Sequence, residues 1–270
     1  MKQPLSALLL AALLLSACAG TDQSKISKDA RQTQNWQTEQ LYSEARKELD
    51  AGNYSRAATL YEILRSRQPE GRYVEQALME EAYAHYKNEE PVKALASLER
   101  FEKHFPASIH TDYALYLRGL VQFDEDTSFL NKLSAQDWSD RDPQANRDTY
   151  KTFETLVKRF PNSKYAPEAR KRMTRLVEAL GGHEIAIARY YAKRGAHLAA
   201  NNRAQRIVQQ FQNTSYPEEA LAIMVFTYEK MGKTQLADDA RRVLQTNYPN
   251  SSYLQKAWVA DDMPWWRYWK

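Results

Sequence analysis

The sequence predicts an all-α chain built from five repeated helix-turn-helix units, and three observations carry that reading. From Trp36 onward, long segments rich in Ala, Leu, Glu, Arg and Lys place apolar residues at three- and four-residue spacing, the period of one helix face. Alternation of β-branched and polar residues, the mark of a half-buried strand, is nearly absent. The third observation is a registered repeat. Pro69, Pro106, Pro161 and Pro249 recur in "SRQPEGRY", "KHFPASIH", "KRFPNSKY" and "TNYPNSSY", and Gln212 takes the proline place in "QQFQNTSY".

The chain opens with Lys2, an apolar run from Leu5 to Leu15, and Ser16-Ala17-Cys18. A charged start, a short apolar core and a small-residue end describe a secretory signal over residues 1–17, and about eleven apolar residues are too few to span a bilayer as a helix. Cys18 is the single cysteine of 270 residues, so no internal disulfide can form and its use is packing, reactivity or modification. Packing would require a buried hydrophobic helix, and an N-terminal apolar run followed by polar residues has nothing to pack against. Leu15-Ser16-Ala17-Cys18 resembles the lipobox of bacterial lipoproteins. That resemblance implies cleavage before Cys18, an S-diacylglycerol and an N-acyl chain on it, and periplasmic exposure of the rest. Ala19-Gly20, with no Asp after the Cys, resembles the pattern that sends lipoproteins to the outer membrane. Each buried acyl methylene contributes about 0.8 kcal/mol, so two or more chains anchor stably. Residues 18–35, with one Ile and no other large apolar residue up to Asn35, are expected to be a lipidated tether.

Residues 36–253 hold the repeats. Two residues after each anchor position stands Gly71, Ser108, Ser163, Thr214 or Ser251, and two further on Tyr73, His110, Tyr165, Tyr216 or Tyr253. Twelve residues before the anchor stands Ala57, Ala94, Thr149, Ala200 or Ala237, and five before it Leu64, Phe101, Leu156, Ile207 or Leu244. The physical reading is that Pro ends one helix, a small residue caps the next, and an aromatic anchors its first turn. A small residue inside each helix lets antiparallel neighbours approach closely. "YSEARKELDAGNYSRAATLYEILRSRQP", residues 42–69, resembles the tetratricopeptide repeat, which implies a right-handed solenoid with a peptide-binding concave face. Ala45, Ala82 and Gly119 fill the small position of the first helix in three copies, with Thr174 and Val225 assigned there in the last two.

Anchor spacings of 37, 55, 51 and 37 place insertions in the third and fourth repeats, near 124–142 and 180–195. In the first insertion Phe129, Leu130, Leu133 and Trp138 sit among acids, and either fold back on the repeats or contact a partner. Asp142-Pro143 reads as a helix start. In the second, Gly181-Gly182 is expected to break or kink the long first helix of repeat four, and Tyr190 and Tyr191 to pack. The tail, 254–270, has three Trp and one Tyr in its last six residues, too many for a free end in water, and is expected to dock on the last repeat or on a partner.

Charge is uneven. Residues 22–142 carry 16 basic and 22 acidic side chains, whereas residues 143–212 carry 14 and 5, a net +9. Basic clusters such as Arg170-Lys171-Arg172 suit nucleic acid, anionic lipid or an acidic protein, or are solvated helix faces, and export argues against nucleic acid. The five His are scattered, with no H-E-x-x-H pair, no G-x-S-x-G elbow and no phosphate loop, so no catalytic residue, metal site or cofactor beyond the lipid on Cys18 is expected.

"LYLRGL", "SDRDP", "RFPNSKY" and "RYYAKRGAHLAANNRAQRI" resemble the BamD/ComL family, periplasmic lipoproteins of the β-barrel assembly machinery. The resemblance implies that the N-terminal repeats receive the C-terminal signal of unfolded outer-membrane proteins. It also implies that the C-terminal repeats dock on the barrel-forming subunit BamA, among other assembly lipoproteins. Tyr61, Tyr83 and Tyr86 are the candidate contacts in the groove of repeats one and two, against helix packing as the other use of each. For docking, Arg203 in "NNRAQRI" is the first candidate with Arg170, Lys171 and Arg172; Arg203 is otherwise an exposed helix residue or an internal partner of Glu184. A periplasmic repeat lipoprotein coordinating cell-wall or division proteins is the alternative function, and a hydrolase on a helical scaffold the third.

Overall fold

The proline positions build β-turns of one kind in all five copies. In the computed structural model, which describes residues 28–124 and 143–260, the amides of Gly71, Ser108, Ser163, Thr214 and Ser251 donate to the carbonyls of Gln68, Phe105, Phe160, Phe211 and Tyr248 at 3.0–3.2 Å. Proline thus occupies the second turn position, where its fixed φ is already correct. The hydroxyls of Ser108, Ser163 and Ser251 accept from the amides of His110, Tyr165 and Tyr253 at 3.0–3.2 Å, whereas Thr214 donates back to the Phe211 carbonyl.

Between these turns lie the helices: the antiparallel pairs α1 (Thr38–Asp50) with α2 (Tyr54–Arg67) and α3 (Val74–Lys87) with α4 (Pro91–His104), then α5 (Thr111–Asp124) and α6 (Pro143–Arg159). Next come α7 (Ala166–Lys193) with α8 (His197–Gln210), α9 (Pro217–Lys230) with α10 (Thr234–Asn247), and a closing turn α11 (Ser252–Gln255). All secondary structure among the described residues is helical. The fold divides into two compact units, one ending at Val121 and one beginning at Gln122. Inside each unit helices pack on their neighbours in sequence, and the first helices of successive pairs also touch, α1 with α3 and α7 with α9.

Within a pair the reversal needs a left-handed residue. Gly52, Gly195 and Gly232 supply it at φ +80°, +72° and +68°, and the amides that follow them close back on the preceding helix. The second pair has Glu89 there, at φ 57°.

The registered small and large positions are all buried: Ala57, Ala94, Thr149, Ala200 and Ala237 where helices approach, and Leu64, Phe101, Leu156, Ile207 and Leu244 as core anchors. Thr174 departs from the expected register, for it is exposed. Ala188 takes the position instead, seven residues before Gly195 as Ala45 is before Gly52, and it is fully buried. The insertion lengthens α7 ahead of its small position, so counting from the proline side lands about four turns too early.

Gly181-Gly182 does not break that helix, which runs unbroken through 28 residues. Neighbouring helical turns supply the backbone bonds, and the missing side chain gives room: a Cβ on Gly181 would meet Tyr216 Cδ2 at 2.9 Å and Thr214 Oγ1 at 3.2 Å. The tether also ends earlier than expected. Residues 28–32 form a helical turn, with Thr33 buried and the Arg67 guanidinium donating to the Thr33 and Ala30 carbonyls at 2.8 and 3.1 Å. Ala30 and Trp36 pack on the first core beside Leu41, Leu60 and Leu64. At the far end Trp258 packs edge-on to Phe226, centroids 5.3 Å apart, and covers the last pair. Residues 261–270, with the remaining tail tryptophans, lie outside the described residues, as does the insertion's Phe129, Leu130, Leu133 and Trp138.

Candidate functional site

In the first unit the face shared by α1 and α3 carries an aromatic and charged cluster. Tyr42 on α1 stacks on Tyr73, just ahead of α3, with centroids 4.7 Å apart and planes at 16°. The Arg72 guanidinium lies over the other ring at 4.5 Å. Glu80, two turns into α3, accepts from Tyr42 Oη at 3.4 Å and Gln76 Nε2 at 3.0 Å and pairs with Arg46 of α1. Burial, followed by the Glu80 charge, pushes the Tyr42 hydroxyl up to about 12, so it remains a donor across the physiological range. The arrangement offers flat apolar surface between two guanidiniums, suited to an aromatic side chain near a carboxylate.

The tyrosines selected from sequence are placed differently. Tyr61 does not reach a groove: it is 0% exposed, within the first core, and burial pushes its hydroxyl far above the ordinary tyrosine range. The helical period that places it in α2 turns it inward with Leu60 and Leu64. Tyr83 and Tyr86 are half-buried, Tyr83 packing on both cores of the unit and Tyr86 on the second. Sequence reasoning missed Tyr42. Its spacing of three residues before the small Ala45 was visible, but its stacking partner lies 31 positions away. A polar groove of about 280 Å³, lined by Ser55, Glu62, Glu81, His85, Lys93 and Arg100 among others, contains none of these tyrosines.

In the second unit a buried carboxylate organises the basic segment. Glu184 on α7 is 3% exposed and is paired by Arg203 Nη1 at 3.0 Å and Arg206 Nη1 at 2.9 Å, both from α8. One turn on, Arg189 grips Glu219 of α9 with two donors, Nε at 2.7 Å, and Trp258 Nε1 donates to the same carboxylate at 3.2 Å. The Glu219 hydrogen bond raises the Arg189 guanidinium against the lowering effect of its burial. Arg203 is therefore an internal partner of Glu184 that keeps one edge at the surface. The Arg170-Lys171-Arg172 cluster is split. Arg172 lies over the Phe123 ring at 4.7 Å and pairs with Glu168 at 3.2 Å, whereas Arg170 and Lys171 are exposed.

Cys18 lies outside the described residues. Among the described residues no helix is long and apolar enough to cross a membrane, and no His, Cys, Asp and Glu cluster has metal-holding geometry.

A family profile described as "Outer membrane lipoprotein" (YfiO) matches residues 34–244. The chain is 59% identical over 257 residues to the "Outer membrane protein assembly factor BamD" of Neisseria meningitidis serogroup A, covering 95% of this chain and 96% of that one. It is 58% identical over the same length and coverage to the protein of that name from Neisseria gonorrhoeae. A third relative so named, from Xylella fastidiosa, is 37% identical over 220 residues, 82% of this chain and 75% of the relative.

Proposed function

The chain belongs to the BamD family of outer-membrane lipoproteins, and from that premise we propose that it works as the adaptor of a β-barrel assembly complex, receiving unfolded outer-membrane proteins on its first unit and docking on the barrel-forming subunit with its second. It is an outer-membrane-associated, non-catalytic assembly component. The observation that carries the substrate half is the stacked Tyr42–Tyr73 pair with Arg46 and Arg72 beside it. A C-terminal β-strand segment ending in an aromatic residue and a free carboxylate matches this face by apolar contact and charge, while its main chain is still unpaired. Tyr83 and Tyr86 extend the same first unit as partial contacts.

Docking is assigned to the surface edge of Arg203. Its guanidinium is already oriented by Glu184, so little freedom is lost when a partner carboxylate takes the remaining donors. The lipid on Cys18 is the proposed anchor. Lys28 follows it by ten residues, so the first folded turn stays within about 35 Å of the anchored residue.

Photocrosslinkers at positions 42, 46, 73, 83 and 86 test the substrate half. They should capture peptides carrying the C-terminal segment of outer-membrane proteins, with 42 and 73 strongest. Capture confined to positions lining the polar groove between α2 and α4 would overturn the assignment.

A further inference from the structure

The lengthened first half of α7 presents a face whose charge no acid of the described chain balances. Arg170, Lys171 and Arg175 are exposed, as is Thr174 between them, and at 100° per residue the four fall on one side of the helix. Lys164, in the turn just before the helix, is exposed too, its ammonium 5.0 Å from the Tyr165 ring. Among the described residues Arg170, Lys171 and Arg175 form no ion pair. Glu168 at one margin is taken by Arg172. Glu178 at the other accepts from the backbone amide and hydroxyl of Ser215. The stripe lies nine or more residues from Glu184 along α7, about 14 Å or more at 1.5 Å per residue, so it is separate from the Arg203 surface.

What this face lacks selects its occupant. No large apolar side chain between Pro143 and Arg189 is exposed. A protein partner is ordinarily held by a desolvated aromatic or aliphatic centre, where lysine is depleted, with charges at the rim. A stripe of three to four cations on a rigid helix, without an apolar centre, suits a flat plane of negative charge that asks for no shape complementarity. We propose that Lys164, Arg170, Lys171 and Arg175 form a contact for the anionic phospholipid headgroups of the membrane to which the lipoprotein is attached. The proposal rests on the outer-membrane lipoprotein reading. A lipid chain joined to a polybasic patch is the general two-signal solution for lasting attachment, and a second point of contact fixes orientation where a single tether leaves the domain free to turn.

The test uses the full chain with Thr174→Cys, carrying a fluorophore on that thiol, added to vesicles whose headgroups bear a quencher. Vesicles of phosphatidylethanolamine alone are compared with vesicles also containing phosphatidylglycerol, at low and high salt. Quenching at 174 should depend on phosphatidylglycerol, fall at high salt as the charges are screened, and fall about tenfold with Arg170→Gln, Lys171→Gln and Arg175→Gln together. The triple variant should keep the parent's melting temperature, because these side chains hold no internal partner. Equal quenching on both vesicle types, or quenching unchanged in the triple variant, would overturn the proposal. So would protection of 174 only on addition of the barrel-forming subunit, which would make the stripe a protein contact. Flotation with phosphatidylethanolamine alone reads the Cys18 anchor separately, so failure of the anchor and failure of the stripe give different results.

Discussion

Arg203 Nη1 and Glu184 Oε2 stand 3.0 Å apart across α8 and α7, the carboxylate 3% exposed and the arginine side chain 31%. Arg203 therefore neutralises a buried charge while part of its side chain stays at the surface, where the proposed docking would use it. Arg206 shares the neutralisation at 2.9 Å. Arg203→Gln should cost about 1 kcal/mol or less, because Arg206 still covers Glu184. Arg203→Gln with Arg206→Gln should cost about 3–5 kcal/mol, because the buried carboxylate is then uncompensated. Chemical denaturation of the two variants reads the difference, and additive small losses would show that Glu184 does not depend on either arginine.

Charge reversal at the same position separates fold from docking less well. Arg203→Glu sets a second carboxylate against Glu184, so it should lower the melting temperature as well as weaken association. Arg203→Gln is the cleaner docking variant. Co-purification with the barrel-forming subunit should fall while the helical signal by circular dichroism stays at the parent level.

Glu89 is the one non-glycine residue described with positive φ, at the turn where Gly52, Gly195 and Gly232 serve the first, fourth and fifth repeats. Glu89→Gly should stabilise by about 0.5–1 kcal/mol, since relief of the left-handed strain exceeds the added flexibility of the unfolded chain. Gly195→Ala should cost about as much, with nothing within 4 Å of the new Cβ and the backbone strain alone responsible. Thermal melts of both variants check the opposite signs.

Gly181→Ala gains about 1 kcal/mol of helix propensity and loses more to contact, since the new methyl would lie 2.9 Å from the Tyr216 ring. A net loss of about 1–2 kcal/mol is expected, and Tyr216→Leu should reduce it. A stabilised Gly181→Ala would mean that the α7–α9 approach is looser than described.

Most of the fold was legible because the repeat ties position to burial: the same offsets from each proline give the buried alanines and the core anchors from Ala57 to Leu244. Thr174 went wrong for a local reason, the insertion falling between the proline and the small residue, so the register is kept only from the Gly195 end. The continuity of α7 through Gly181-Gly182 was hidden because flexible glycine and closely approached glycine look alike in sequence. The site was less legible. Tyr61 has the residue type of a groove contact but the helical phase of the core, and the Tyr42–Tyr73 stack joins two repeats, a distance that no single-repeat pattern encodes. The pairing of Arg203 with Glu184 was one of the alternatives open from sequence, and geometry chose it.

Acid should loosen the second pair through Glu90. Burial raises its carboxyl, but hydrogen bonds from Lys93, His85 and Asn88 outweigh that and leave it at about 2, against an ordinary 4.5. A folded-state value below the unfolded one means the stabilisation is present above about pH 4.5 and is lost as pH falls from there toward 2. Melting temperature plotted against pH should drop through this window in the parent and drop less in Glu90→Gln; parallel curves would show that the His85–Glu90–Lys93 clasp contributes nothing.

The central claim is that this chain joins unfolded substrates to a barrel-forming subunit, and affinity isolation of the full chain from detergent-solubilised outer membranes tests it most directly. The account predicts that the barrel-forming subunit co-purifies in stable proportion with the parent chain and is depleted with Arg203→Gln, while both chains melt within a few degrees of each other. Recovery of the folded parent chain with no barrel-forming subunit, under conditions where that subunit is present in the same extract, would contradict it.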